Sequence, residues 1–576
     1  MTDENGAAVT RRLSTWDSIK AYGERRVFVM LLLGFASGLP YLLVFDTLSA
    51  WLRTAGLSLE VIGFFSLATL VYSFKFVWAP LLDRTRVPLL TGWVGHRRSW
   101  MLVAQGIIIL ALWLIAGVDP ATNLGAMAAL AVLIGFTGAT QDIVIDAWRI
   151  EVTTPERQGT MAAAYQLGYR GAMLAAGLIP LVLAELYGWR LSYFTMTVLM
   201  GIGVAGALLA PREQQHIVRE IPTGGVPSRP VSDRIEWVVR LLVLALGALI
   251  MGSGLMGNVS LLANMATALG LGGLAESLTG LWRGGVWVHL PAAAVGLGVI
   301  VLAAWPLPGR KTRPGVYLST GLGEPVVQFF DRFGSIAGPI LALICLYRVA
   351  DFVLNVMNPF YIDLGFSLIE IGEVRKVLGV IMTSLGVVAG GFLVARFGVL
   401  KAMVLGAFLG PLSNLVFAWL ATQGASLSAL AIAIGVDNVA GGICGTALIA
   451  YMSSLTSIGF TATQYALFSS LYALPGRLIA SQSGRIIESA ARNAENGGVF
   501  APLTGLFGRL PAGAYAEGAA TAGVAPAALG AGYIVFFLYS TLIGIAAMVL
   551  VFYVAARQPA AEAAARQAAD EADAPA

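Results

Sequence analysis

Hydrophobic positions along this chain do not alternate with polar ones; they come in long runs. Six runs of about 20 residues or more fill the first 210 residues, near 27–51, 59–82, 99–118, 124–148, 160–186 and 190–210. About 20 apolar residues in a helix, at 1.5 Å each, cross the ~30 Å hydrocarbon layer of a bilayer. A charged, proline-bearing linker from Pro211 to about Glu236 follows. Two more runs lie near 237–257 and 285–305, separated by the semi-apolar loop Asn258 to Gly284, expected at the membrane surface. Pro306 to Gly334 is a second linker, rich in Pro, Gly and basic residues. In it Val326, Phe329, Phe330 and Phe333 are spaced i, i+3, i+4, i+7, which predicts a short interfacial helix. Six further runs lie near 335–361, 369–395, 400–421, 427–452, 461–485 and 530–556. The pattern predicts an all-α integral membrane protein of about fourteen spans, arranged six, two and six.

Composition agrees. Hydrophobic residues make up 57% and charged residues 12%, against about 25% charged in soluble domains. The net charge of +4 comes from arginines and lysines in alternate short loops, which is topology and not nucleic-acid binding. The basic loops place both termini on the cytoplasmic side. They place the Gly/Ala-rich loop from Arg485 to about Leu529 outside, where mobility is expected. The first 26 residues show no cleavable signal pattern. The expected units are a segment 1–26, a six-helix bundle 27–210, linkers with an inserted helix pair 211–334, a second bundle 335–556, and an Ala/Glu/Asp-rich tail 557–576, expected to be disordered. Cys345 and Cys444 fall inside apolar runs, so neither a disulfide framework nor a metal site is expected, and no cofactor. His96, His216 and His289 are isolated, and Gly435-Val436-Asp437 lacks the second glycine of an intramembrane aspartyl protease motif. An enzyme is therefore not expected.

The candidate chemistry centres on Gln141-Asp142-Ile143-Val144-Ile145-Asp146-Ala147-Trp148-Arg149, at the end of the fourth run. On a helix Asp142, Asp146 and Arg149 share a face. Carboxylates deep in a membrane cost roughly 2.5–3.5 kcal/mol each on insertion scales. One reading is a polar wall along a water-filled path, with Asp142 or Asp146 carrying a proton. The other puts Asp146 and Arg149 at the headgroups as anchors. Asp142, about 10 Å further in, is the stronger proton candidate.

The two blocks of six read as diverged copies. Arg170 precedes Gly177 by seven residues as Arg477 precedes Gly484; Gly135 precedes Gln141-Asp142 as Gly435 precedes Asp437-Asn438. Repeats of this kind are common in transporters. After the second run, Asp83-Arg84 with Arg97-Arg98 resembles the loop between spans two and three of major facilitator transporters, stretched here by Thr85 to His96. Asp83, Arg84, Arg97 and Arg98 are the expected latch, or gate, between helices.

Several stretches resemble the muropeptide permeases of peptidoglycan recycling (the AmpG permeases), a branch of the major facilitator superfamily. They are Gly34-Phe35-Ala36-Ser37-Gly38-Leu39-Pro40, Gly63-Phe64-Phe65-Ser66-Leu67, Phe74-Lys75-Phe76-Val77-Trp78-Ala79-Pro80-Leu81-Leu82-Asp83-Arg84, Gln141 to Arg149, Leu167-Gly168-Tyr169-Arg170 and Thr463-Gln464-Tyr465-Ala466-Leu467. The resemblance covers both blocks and implies a major facilitator fold: two six-helix bundles with two extra helices inserted between them. It also implies inward transport of N-acetylglucosaminyl-1,6-anhydro-N-acetylmuramyl peptides, driven by protons, by a monomer in the bacterial inner membrane.

Such a cargo needs cations for carboxylates, amide partners for N-acetyl groups and aromatic faces for sugar rings. Residues of those types lie within the apolar runs. Span five offers Tyr165, Gln166 and Arg170, and the seventh span of the conventional twelve offers Tyr347, Arg348, Asp351, Asn355 and Asn358. Spans ten and eleven of that twelve offer Asp437, Asn438, Gln464, Tyr465 and Arg477. Arg348 and Asp351 could equally be an ion pair orienting two helices. The expected cargo ligands are Gln141, Tyr165, Gln166, Arg170, Asp351, Asn355, Gln464 and Tyr465, with Arg170 on a cargo carboxylate. Lys75 could bind or merely snorkel. Another cargo on the same fold, such as a sugar-peptide, an acyl-thioester or a drug, is the competing reading.

Overall fold

The computed structural model describes residues 20–55, 72, 75–213, 226–256, 259–305, 311–374, 378–480, 483–508, 510 and 513–573. The side chains of Asp46, Asn355, Asn358 and Arg477 fall outside the description, as does most of the second predicted span. Among the described residues all regular structure is helical. Twelve helices are long and apolar enough to cross a membrane. The two remaining expected spans are 59–82, mostly outside the description, and a 20-residue helix, Thr461–Ala480, which is more polar than the others. The plan of two six-helix bundles with an inserted pair holds.

The first bundle contains α1 (Arg25–Leu42), α2 (Ala79–Arg84), α3 (His96–Ile115), α4 (Leu124–Glu151), α5 (Gln158–Tyr187) and α6 (Trp189–Leu209). Inside a bilayer, close approach of backbones replaces the hydrophobic effect as the force between helices, and glycine permits it. A side chain at Gly34 would collide with the Tyr165 carbonyl, and one at Gly168 with that of Leu31, so α1 and α5 cross backbone to backbone. Span one changes pitch after Pro40, which has no N–H to donate: a π-helical turn, Leu43–Thr47, follows.

The inserted pair is α7 (Pro230–Met256) and α8 (Val286–Ala304). Between them, the expected surface loop forms two short helices, Ser260–Ala268 and Gly272–Trp282. The short interfacial helix expected at Val326–Phe333 is in fact a 21-residue helix, α9 (Arg313–Phe333). It is longer because Thr312 caps it, accepting a bond from the Gly315 N–H, and Pro314 sits in its first turn. Its buried face is Leu318, Gly321, Pro325, Phe329 and Phe333, while Val326 and Phe330 point outward.

The second bundle opens with a broken span: α10 (Ala337–Leu346), α11 (Val349–Val353), a 3-10 turn at Leu354–Val356, and α12 (Met357–Leu364). Pro359 removes a donor needed by the turn before it, which accounts for the second break. Then come α13 (Gly379–Phe397), α14 (Val399–Leu420), α15 (Leu427–Leu455), α16 (Thr461–Ala480), α17 (Ser483–Glu495) and α18 (Pro526–Asp573). The α13–α15 crossing uses the device of α1–α5: a side chain at Gly442 would stand 2.6 Å from the Thr383 carbonyl.

Two expectations fail in this half. The Arg485–Leu529 stretch, expected to be mobile, is packed: Ile487, Ala491, Phe507 and Tyr515 join the bundle's core. Tyr515 donates its N–H to the Asp363 carbonyl and its hydroxyl to the Ala421 carbonyl (2.9 Å), and Tyr533 donates to the Asp363 carboxylate (2.6 Å). The tail, expected to be disordered, continues as helix to Asp573. Its Ala, Glu, Gln and Arg residues have high helix propensity, and Gln558 bridges Tyr451 and Glu562.

Candidate functional site

The bundles meet at the end where α1 begins and α4 stops. The terminal segments emerge there too, since Arg26 donates to the Val152 carbonyl (2.6 Å) and Gln558 accepts from Tyr451 (2.9 Å). Arg97, fully buried, donates to Asp83 (2.6 Å) and to Glu151 (2.6 Å). Asp83 also accepts the backbone N–H groups of Ala462 (3.2 Å) and Thr463 (2.9 Å) and the Thr463 hydroxyl (2.7 Å). These are the first free N–H groups of α16, where a helix favours negative charge. Two acids and one guanidinium leave an excess negative charge, and the helix terminus offsets it.

The other members of the expected latch do different things. Arg84 pairs with Glu324 of α9 (2.8 Å) and stacks over Phe460. Arg98 donates to the carbonyls of Ala207 (3.0 Å) and Leu208 (2.8 Å) and so ties α3 to the end of α6 within one bundle. Arg98 is therefore no part of a latch between the bundles. Gly159 and Gly391 complete the closure: a side chain at either would run into the backbone of the other at 2.9–3.0 Å.

Between the bundles lies a polar cavity of two lobes, each of about 420 Å³, sharing Gln166, Arg170 and Arg348. The first lobe is lined by six tyrosines, Tyr41, Tyr72, Tyr165, Tyr169, Tyr465 and Tyr472, and by Lys75, Asp142 and Asp146. Tyr41 meets Tyr72 edge-on at 5.3 Å and Tyr169 at 6.4 Å. The second lobe is lined by Asp351, Thr383, Asp437 and Asn438 among others.

The spacing of Asp142 and Asp146 on α4 brings both carboxylates into the first lobe, where both interact electrostatically with Lys75. Asp142 Oδ1 has no hydrogen-bond partner among the described residues. The headgroup reading of Asp146 and Arg149 does not hold. Arg149 is fully buried, pairs with Asp146 (3.2 Å), donates to Ser453 of α15 (2.8 Å) and lies over the Tyr465 ring at 5.1 Å. It is a cross-bundle contact.

At the waist, Gln166 donates to Thr446 (2.6 Å), again across the bundles. Arg348 sits at the first break of the discontinuous span and pairs with Asp351 three residues on (2.6 Å). Both residues belong to one discontinuous span, so the pair does not orient two spans. Arg170 is exposed in the cavity, faces Arg348, and makes no ion pair or hydrogen bond among the described residues. The waist thus holds two guanidiniums, of which Arg348 alone is paired with a carboxylate.

Two expected cargo ligands lie elsewhere. Gln141 is fully buried and donates to the Ala36 carbonyl (2.8 Å), holding α4 on α1. Gln464 donates to the Pro325 carbonyl (2.9 Å) and to Gln328 (2.8 Å), holding α16 on α9. Each lies near cavity residues in sequence, but the helix turns it toward a neighbouring backbone. Asn355 falls outside the described side chains. Sequence reasoning missed Tyr41, Tyr72, Tyr472, Glu151 and Glu324. The i, i+4 pair Tyr165 and Tyr169 on α5 was a legible signal for an aromatic wall.

Comparison of the sequence with protein families and curated relatives agrees with this architecture. The family profile of the Major Facilitator Superfamily matches residues 53–272. The chain is 30% identical to the anhydromuropeptide permease of Escherichia coli (strain K12) over 474 residues, covering 82% of this chain and 76% of that one. It is 27% identical to a Rickettsia felis protein named as transporter AmpG 4 over 471 residues, covering 81% of this chain and 91% of that one. Among solved structures, the proton:xylose symporter XylE is 10% identical, with 94% of this chain and 97% of that chain covered and a TM-score of 0.49.

Proposed function

The chain belongs to the anhydromuropeptide permease family of the major facilitator superfamily, and from that membership we propose that it imports anhydro-muropeptides across the bacterial inner membrane, coupled to protons. It is a transporter and not an enzyme. The observation that carries the cargo reading is Arg170, a guanidinium without an anionic partner among the described residues, set beside Arg348 at the waist of a tyrosine-lined cavity. A planar fork of this kind fits a carboxylate with two parallel bonds. The tyrosine faces fit sugar rings, and the two lobes together give room for a disaccharide in one and a peptide in the other.

Asp142 is the proton carrier in this reading. The Asp83 end is cytoplasmic, as the basic loops require, and the latch closes that end while the cavity loads. A proton from outside neutralises Asp142 and releases Lys75 from one of its two partners. Cargo on Arg170 then removes the repulsion between Arg170 and Arg348. Opening of the Asp83 end hydrates the cavity and frees both cargo and proton. Each proton contributes about 2.3 kcal/mol per 100 mV of membrane potential. The protein works as a monomer.

The test is uptake of labelled GlcNAc-1,6-anhydroMurNAc-tripeptide into right-side-out vesicles with an imposed proton gradient. Uptake that follows the gradient in the wild type and disappears in Arg170→Ala, at equal protein level, supports the reading. A wild type that ignores the muropeptide but takes up another anionic cargo supports the family and overturns the cargo. Uptake unchanged by collapse of the gradient overturns the coupling.

A further inference from the structure

A second cavity, of about 590 Å³, opens on the bilayer-facing side of the first bundle, far from the cargo site. It lies where α3 ends, α5 ends and α6 begins, and its lining includes Trp113, Leu114, Tyr187, Arg190, Leu191 and Phe194. Trp113, Leu114, Leu191 and Phe194 are each 42–54% exposed, so this is an open groove and not a packed seam. We propose that the groove binds one anionic phospholipid, its phosphate on Arg190 and an acyl chain along the aromatic wall.

The depth of each residue supports this. α3 runs 20 residues from His96 at the Asp83 end, which is about 30 Å, one hydrocarbon thickness. Its last turn and Val118 therefore stand at the opposite boundary of the hydrocarbon layer. Trp113 and Phe194 lie on the hydrocarbon side of that boundary. Tyr187, 66% exposed, and Arg190, at the start of α6, lie at the headgroup level, where tyrosine and tryptophan collect. A ligand that fills the groove must be apolar for most of its length and charged at one end.

The sign of that charge follows from the lining. Among the described residues, Arg190 is the one cation that lines the groove, no carboxylate lines it, and Arg190 has no ion pair or hydrogen bond. Surface lipids are the molecules that supply a phosphate at that depth with a chain attached. The volume lies within the roughly 300–1,000 Å³ range of small-molecule sites. One arginine near a charged lipid contributes about a fivefold gain in binding.

The full chain, reconstituted in bilayers of equal phosphatidylglycerol and phosphatidylcholine, is released for native mass spectrometry and its retained lipid counted. The wild type is expected to retain phosphatidylglycerol over phosphatidylcholine. Arg190→Gln should weaken that retention about fivefold and lower phosphatidylcholine less, since its choline already balances its phosphate, and Arg190→Lys should keep most of it. Trp113→Ala leaves the charge in place and should lower retention of both lipids, which keeps the test decisive if Arg190→Gln does not fold. Equal retention of the two lipids by the wild type overturns the proposal, as does an unchanged preference in Arg190→Gln. Displacement of the lipid by soluble glycerol phosphate also overturns it, by showing a site for a free anion.

Discussion

Asp83 and Thr463 are 380 residues apart in the chain, and Thr463 gives the Asp83 carboxylate both its backbone N–H (2.9 Å) and its hydroxyl (2.7 Å). One carboxylate thus joins the second span of the first bundle to the N-terminus of α16 in the second, while Arg97, itself paired with Glu151, holds it from behind. The bond is buried, so while the bundles are closed water does not compete for it, and their separation must break it.

Asp83→Asn keeps the size and one acceptor but removes the charge. It leaves Arg97 with one carboxylate and weakens the contact with the α16 terminus. The bonds of Asp83 that cross between the bundles go to Ala462 and Thr463, and hydrogen bonds to a charged group contribute about 1.5–3 kcal/mol, so the closed-to-open ratio should fall by about one to two orders of magnitude. Spin-label distances between the two bundles at the Asp83 end should lengthen in the mutant. Distances that stay at wild-type values would refute the latch. Thr463→Val should move them the same way by a smaller amount, and the double mutant should be far from additive.

Gly159 and Gly391 set how closely the bundles approach. Gly159→Ala would place a methyl carbon 2.9 Å from the Gly391 carbonyl oxygen, and backbone cannot swing away as a flexible side chain can. Uptake should drop severely in Gly159→Ala while thermal unfolding of each bundle changes little. Normal uptake would show that the crossing is looser than it stands here.

Asp142→Asn separates proton carrying from cargo binding, because asparagine keeps size and hydrogen bonding but cannot titrate. Wild-type accumulation should rise as the outside is acidified, since protonation there starts the cycle. The mutant should lose gradient-driven accumulation and its dependence on external pH, yet retain cargo exchange. Accumulation against a gradient with the wild-type pH dependence would move the proton to another carboxylate of the cavity.

Gln141 and Gln464 should behave as structural residues. Gln141→Leu leaves the Ala36 carbonyl without its buried donor, a loss of about 1–3 kcal/mol. The expected result is a lower melting temperature with unchanged cargo preference. A changed preference at unchanged stability would return Gln141 to the cavity.

The sequence by itself determined the membrane class, the six-two-six order of spans and the stretch that carries the chemistry. The reason is local: a bilayer demands about 20 apolar residues per crossing, and Asp142, Asp146 and Arg170 stand out because charge inside such a run is costly. It also marked Tyr165, Gln166, Asp351 and Tyr465, all of which line the cavity. Tertiary structure alone decided which polar residues face the cavity and which face a neighbouring backbone. Gln141 and Asp142 are adjacent in sequence, and a turn of about 100° per residue sends one to the Ala36 carbonyl and the other into the first lobe. It also decided the partners of the Asp83–Arg97 pair, since Glu151 reaches Arg97 and Thr463 reaches Asp83 only when separate spans pack together. The Arg485–Leu529 stretch and the tail differ from expectation for a related reason. Their Gly- and Ala-rich composition has no strong period of its own, and Ile487, Phe507 and Tyr515 show their burial only beside Phe537 and Asp363. Spans are set by the solvent around each segment, which a sequence reports directly; a site is set by the rotation of helices about one another, which depends on every neighbour at once.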